Sequence, residues 1–147
     1  MVTKSVVIGD KAFSKRLKRI SKTIPLDTKA QMLKLIVEMD ADVKKTISGG
    51  GRSGRLYGKR GHQASAPGEA PKTDMGGLVA GFNFDVKITP KQIIGQIRNI
   101  SKYAAAVEFK PSSQGGRPFM RPLYNKWRKV ASKRLMQATK SSIKKAR

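Results

Sequence analysis

Apolar residues recur along this chain with two periods, and each change of period marks an element. Phe13, Leu17, Ile20 and Ile24 follow at spacings of four, three and four, the stripe of an amphipathic helix. Asp10 precedes them as an N-cap able to accept from the first unpaired amides. Pro25 predicts the end of that helix, because it lacks an amide proton and clashes with the preceding turn. Asp27 would then cap a second helix reaching about Ile47, with Ala30, Leu33, Val37, Ala41 and Ile47 on or near its inner face. Gly49-Gly50-Gly51 stops it, since three glycines lose too much backbone entropy to stay helical. Upstream, Lys4 to Ile8 reads as a short strand.

The period then becomes two. Phe82, Phe84, Val86 and Ile88 alternate with Asn83, Asp85 and Lys87, which predicts a strand over Leu78 to Ile88. Thr89-Pro90-Lys91-Gln92 reads as a turn, and Ile93 to Ile100 as the partner strand of a β-hairpin. Tyr103 to Phe109 fits a short helix or a third strand. Pro122 suits the first position of a last helix, with Leu123, Trp127, Val130, Leu135 and Ala138 along one broad stripe. Phe119 and Trp127 are expected to anchor that helix. Beyond Lys140 the apolar face thins to Ile143, so fraying is expected over 140–147. The pattern predicts one α+β domain over 1–147: a small antiparallel sheet built on a β-hairpin, packed by two N-terminal helices and one C-terminal helix. Residues 52–77 stand apart as a long, basic Gly/Pro-rich loop. A loop of that length in a compact domain is usually functional or disordered.

Composition narrows the partners. Of 147 residues, 32 are Lys or Arg and 9 are Asp or Glu, a formal net charge of +23. Such a charge repels itself in the compact state and predicts work beside something negative: nucleic acid, an acidic protein surface or an anionic membrane. Glu108 is the last acid, and every charged residue after it is Lys or Arg. No apolar run approaches the ~20 residues that span a bilayer, and Val6-Val7-Ile8 is too short for a secretory signal. With no cysteine there is no disulfide, thiolate nucleophile or Cys-based metal site.

The candidate chemistry is sparse. Gly49, Gly51 and Gly54 have dinucleotide-fingerprint spacing, but a helix precedes them and a loop follows, the reverse of what aims amides at a pyrophosphate. Gly58-Lys59 lacks the Ser/Thr and the upstream spacing of a P-loop. His62, the only histidine, lies in the loop without an acid nearby in sequence. Glu38 and Asp42 share a helix face at i and i+4, where Lys34 and Lys45 on neighbouring turns suggest a solvated charge network. No catalytic constellation, cofactor or metal site emerges, and an enzyme is not expected. The cations of the loop and of the last helix are the stronger signal, because long cations neutralise phosphates and release counterions without reading sequence.

Two punctuated segments go further. One reads Ser53-Gly54-Arg55-Leu56-Tyr57, then Ala64-Ser65-Ala66-Pro67-Gly68-Glu69-Ala70-Pro71, then Thr73-Asp74-Met75-Gly76-Gly77-Leu78. The other reads Tyr103-Ala104-Ala105-Ala106-Val107-Glu108-Phe109, then Arg117-Pro118-Phe119-Met120-Arg121-Pro122. Together, over roughly the central half of the chain, they resemble the tail-completion, or head–tail joining, proteins of lambda-like long-tailed bacteriophages. The matching elements are Ala70-Pro71, Thr73, Gly77-Leu78, Tyr103-Ala104, Val107-Glu108-Phe109 and Pro118-Phe119-Met120-Arg121-Pro122. The family usually has a glycine after the Glu-Phe pair, where this chain has Lys110.

The resemblance implies a non-enzymatic virion protein of the neck, made in the host bacterial cytoplasm. It would form a homo-oligomeric ring, most simply sixfold, between a head-closure or connector protein and a tail terminator or tail tube protein. The loop would then lie on a neighbouring subunit through Arg55, Leu56, Tyr57, His62, Pro67 and Pro71. Arg52, Lys59, Arg60, Lys126, Lys129, Lys133 and Lys140 would face DNA phosphates or an acidic partner. Charge alone supports the alternative of a nonspecific DNA-binding, nucleoid-type protein.

Overall fold

In the computed structural model, which describes residues 10–49, 53–59, 61–89 and 92–145, one helix dominates. α1 runs unbroken from Asp10 to Gly49, 40 residues, with Pro25 inside it. The expected pair of N-terminal helices is therefore a single one. Proline deletes one intrahelical hydrogen bond, a local loss of ~3 kcal/mol, while helix-compatible sequence on both sides and packing beyond it hold the axis. Asp27 accordingly caps nothing: it lies within α1 and accepts the Ser142 hydroxyl at 2.6 Å. The strand expected over Lys4 to Ile8 lies outside the described residues.

The basic segment folds back as a layer. β1 (Leu56–Tyr57) pairs antiparallel with β2 (His62–Gln63), making a miniature hairpin. α2 (Gly77–Ala80) is a single turn where the first strand was expected to start. β3 (Phe82–Ile88) and β4 (Ile93–Asn99) form the expected antiparallel hairpin, Phe82 opposite Asn99 and Ile88 opposite Ile93. Thr89 and Gln92 close its turn, the Thr89 amide donating to the Gln92 carbonyl at 2.8 Å. α3 (Ala104–Phe109) settles the open choice in favour of a helix. After a 3₁₀ turn at Ser112–Gln114, α4 runs from Met120 to Lys145.

α4 lies antiparallel along α1, and the β3–β4 hairpin packs on α1 beside it. The core is small: Val43, Ile47, Leu78, Phe82, Ala104, Phe119 and Leu123 cluster, with Phe119 set edge-on to Phe82 at 5.9 Å and 79°. Leu35 and Ile36 of α1 are buried as well. The inner face of α1 is thus the 35, 36, 43, 47 stripe, whereas Leu33 and Val37 are 45% and 46% exposed. A helix touching two neighbours buries a face set by both, which its own apolar stripe does not reveal. Along β3 only Phe82 reaches the core; Phe84 and Ile88 are exposed as the hairpin runs past the helices. α4 is helical beyond Lys140. The helix continues to Lys145, with Ser142 fully buried against α1.

These burials rank the two aromatics of α4. Phe119→Ala, at 3% exposure, should cost ~3–5 kcal/mol in denaturant unfolding. Trp127→Ala should cost less, about 1–3 kcal/mol, because the indole is only half-buried. Equal midpoints for the two variants would show that the core is not centred on Phe119.

Candidate functional site

The segments that resemble the phage family meet at the start of α4. A helix leaves its first amides without intrahelical partners, and here those of Phe119, Met120 and Arg121 donate instead to one side chain. The Glu108 carboxylate takes Phe119 and Met120 on Oε2, at 2.7 and 2.9 Å, and Arg121 on Oε1, at 3.0 Å. The next residue is Pro122, which has no amide to satisfy. Pro122 is therefore the third residue of α4, not the first, and the proline and the glutamate together complete one cap. Glu108 itself is 7% exposed.

Arg117 ties the same corner to the loop. Its amide donates to the Val107 carbonyl at 2.8 Å, and its Nε donates to the Ser65 carbonyl at 2.9 Å. The turn between passes without a glycine at 110: Lys110 has φ −60° and ψ 143°, open to any residue. The glycine is needed at 116 instead, where a Cβ would stand 1.8 Å from the Lys110 carbonyl oxygen.

The loop rests on its own domain, and backbone bonds supply what apolar packing does not. Thr73 donates its amide to Ile47 at the end of α1, at 3.2 Å, and Gly68 donates to Gly116 at 2.8 Å. Glu69 accepts from the Ser53 hydroxyl and the Ala66 amide, which hold its carboxyl below the usual range, the serine bond contributing most. Gly54 passes so close that a Cβ there would sit 2.6 Å from the Ser65 carbonyl oxygen.

The sequence-derived contact residues therefore divide. Arg55, Leu56, Tyr57 and Pro67 are exposed, Leu56 by 70% and Tyr57 by 53%. Pro71 is buried in its own domain, so it cannot serve as a partner contact in this conformation. His62 has an acid after all, Nδ1 standing 3.4 Å from Asp74 Oδ1. Arg52 and Arg60 lie outside the described residues. Lys59, Lys129, Lys133 and Lys140 are exposed. Lys126 is exposed too, but its ammonium donates to both Asp42 oxygens, at 2.9 and 2.7 Å.

Glu38 and Asp42 do not pair along α1 with Lys34 and Lys45. They bridge to α4: Asp42 to Lys126 and to the Trp127 indole N–H at 2.8 Å, Glu38 to Arg134. Arg134 also lies 5.9 Å over the Trp127 ring. The Lys126 bond, aided by the indole, holds the Asp42 carboxyl below its ordinary value of 3.8.

Sequence reasoning missed the apolar surface beside the Glu108 cap, a latch between α3 and α4. A groove of ≈ 460 Å³ runs along Ala104, Ala105, Phe109, Phe119 and Tyr124. A second, of ≈ 680 Å³, lies between α1, β4 and α4 and is lined by Met32, Ile36, Ile97, Trp127 and Leu135 among others. Met120 and Tyr124 border both. Phe109 and Tyr124 are 73% and 62% exposed. Phe109 follows the capping glutamate directly, so a side chain pointing away from the cap was the available signal. Comparison with protein-family models, curated proteins and solved structures finds no match to this chain.

Glu108→Ala strands the buried Phe119 amide and the part-buried amides of Met120 and Arg121, and at ~1–3 kcal/mol for an unsatisfied buried group, with less for the two that water can reach, the loss should be about 2–3 kcal/mol. Glu108→Gln keeps one acceptor and should fall between. Denaturant unfolding decides, and a wild-type midpoint for the alanine variant would mean that water replaces the cap.

Folding lowers the Asp42 pKa, so the folded protein binds that proton less readily than the unfolded chain. The resulting stabilisation is complete above the ordinary value of 3.8 and is lost as pH falls through the lowered one. Asp42→Asn should flatten this acid limb of a stability–pH curve. An unchanged limb would assign it to other carboxylates.

Proposed function

We propose that this chain is a structural subunit of a phage neck or tail, assembled into a ring that joins the head connector to the tail tube. The observation that carries the assembly is the apolar surface a single chain leaves open. Leu56, Met75, Ile100, Phe109 and Tyr124 are each more than 60% exposed, around a core of few residues. Phe109 and Tyr124 share one groove beside the helix cap, and contiguous apolar surface of that kind marks interaction sites. The neck assignment rests on the resemblance. Val107-Glu108-Phe109 and Arg117 to Pro122 act as one device, the helix cap, so their joint presence is a single structural requirement of the fold. Thr73 and Leu78 likewise serve the fold, the first at the end of α1 and the second in the core.

Electron microscopy of the purified protein tests the reading, with rings of one subunit number expected. Particles made without the protein should be filled heads beside unattached tails. Replacing Leu56 and Tyr57 together by Asp should leave the melting temperature within a few degrees of wild type and abolish the rings, because both side chains lie on the exposed miniature hairpin. A protein that stays monomeric at high concentration and coats DNA would favour the nucleoid-type alternative.

A further inference from the structure

α4 carries two opposed faces. Leu123, Trp127, Ala131, Leu135, Ala138 and Ser142 turn toward the body, buried or half-buried. At 3.6 residues per turn, Lys129, Lys133, Lys140 and Lys144 fall within roughly 60° of one another on the far side. All four are exposed, and at 1.5 Å per residue they extend along about 22 Å of helix. α4 contains no acid, and the acids that α1 offers it are taken by Lys126, Arg134 and Ser142.

We infer that this lysine stripe is a sequence-independent contact face for the phosphates of duplex DNA. It goes beyond the ring and would hold for a monomer. An acidic protein surface is the other anionic occupant, and the make-up of the stripe argues against it. Protein interfaces draw on aromatics, Met and Arg and are depleted in Lys. The stripe is all Lys, bordered by Ser132, Met136, Gln137 and Ser141, with no aromatic side chain within it. A lysine ammonium is a compact point charge on a flexible stem, suited to tracking phosphates and unable to make the bidentate contacts that read bases. The binding should therefore be indifferent to sequence and steep in salt.

Fluorescence anisotropy of the full chain with two unrelated duplexes, titrated with salt, tests this. Each neutralised phosphate contributes a slope of about 0.9 in log affinity against log salt, so changing all four lysines to Gln should lower the slope by about 3–4. A charge-matched control, Lys11→Gln, Lys15→Gln, Lys18→Gln and Lys22→Gln in the first turns of α1, should leave the slope near wild type. Equal losses in the two variants would show that binding follows net charge alone and would overturn the stripe. Absence of wild-type binding at low salt, or tighter binding to polyglutamate than to DNA, would overturn it as well. Lysine acylation of the wild type gives a reading that needs no variant: DNA should protect Lys129, Lys133, Lys140 and Lys144 and leave Lys11 and Lys15 reactive. The reverse pattern would refute the proposal.

Discussion

The architecture hangs on one carboxylate. α4 supplies Phe119 and Leu123 to the core and lies along α1 for most of its length, so its position sets everything packed between them. The bridges from Lys126, Arg134 and Ser142 hold it along α1, and the cap holds it where the helix begins. Glu108 receives three amides on two oxygens, and Pro122 removes the fourth donor. A buried carboxylate without partners would be costly, and a buried helix start without acceptors equally so; each removes the other's penalty. Because α3 carries the glutamate and Arg117 connects the turn to Val107 and Ser65, the cap also fixes α3 and the basic loop. Of the three elements that meet there, α3 and α4 are neighbours in sequence and only the loop is distant, tied in through Arg117 and Ser65.

A second consequence follows from how few acids there are. Every acid from Asp27 to Glu108 has a partner within the protein: hydroxyls, amides, His62 or a cation of the chain itself. Negative charge is used to hold elements together, and positive charge is left on the surface. The net +23 is therefore an exterior property concentrated on the helices. A body with that exterior repels its own copies, and the repulsion falls only with salt or with a polyanion nearby.

Much of this was legible from residue order. The α+β class, the β3–β4 hairpin with its Thr89–Gln92 turn, and the last helix follow from period and punctuation, because local pattern decides them. Three things were not legible, each for a reason that lies in tertiary context. Pro25 reads as a break, yet helix-compatible sequence on both sides and packing beyond it keep the axis whole. Leu33 and Val37 make a good stripe by themselves, yet α1 faces a hairpin and a helix at once, and their combined footprint selects Leu35, Ile36 and Val43. The loop looked unanchored because its anchors are backbone carbonyls, which every residue has and no sequence pattern displays. Among the candidate contact residues, Leu56 and Tyr57 emerged on the surface, whereas Pro71 went inside, since a proline that shapes a turn is as useful to the fold as to a partner.

The two proposed surfaces do not compete. Tyr124, which borders both apolar grooves, lies on a different side of α4 from the lysine stripe, so burying one leaves the other open. Their energetics are nevertheless joined. Bringing strongly cationic copies together through apolar grooves is opposed by like-charge repulsion, and a duplex held along the stripes neutralises part of the charge that opposes it. By linkage, whatever DNA contributes to assembly, assembly must return to DNA affinity. Hydrophobic burial would set which faces meet, while charge would set how readily they do, so that salt or a polyanion would favour assembly without being required for it.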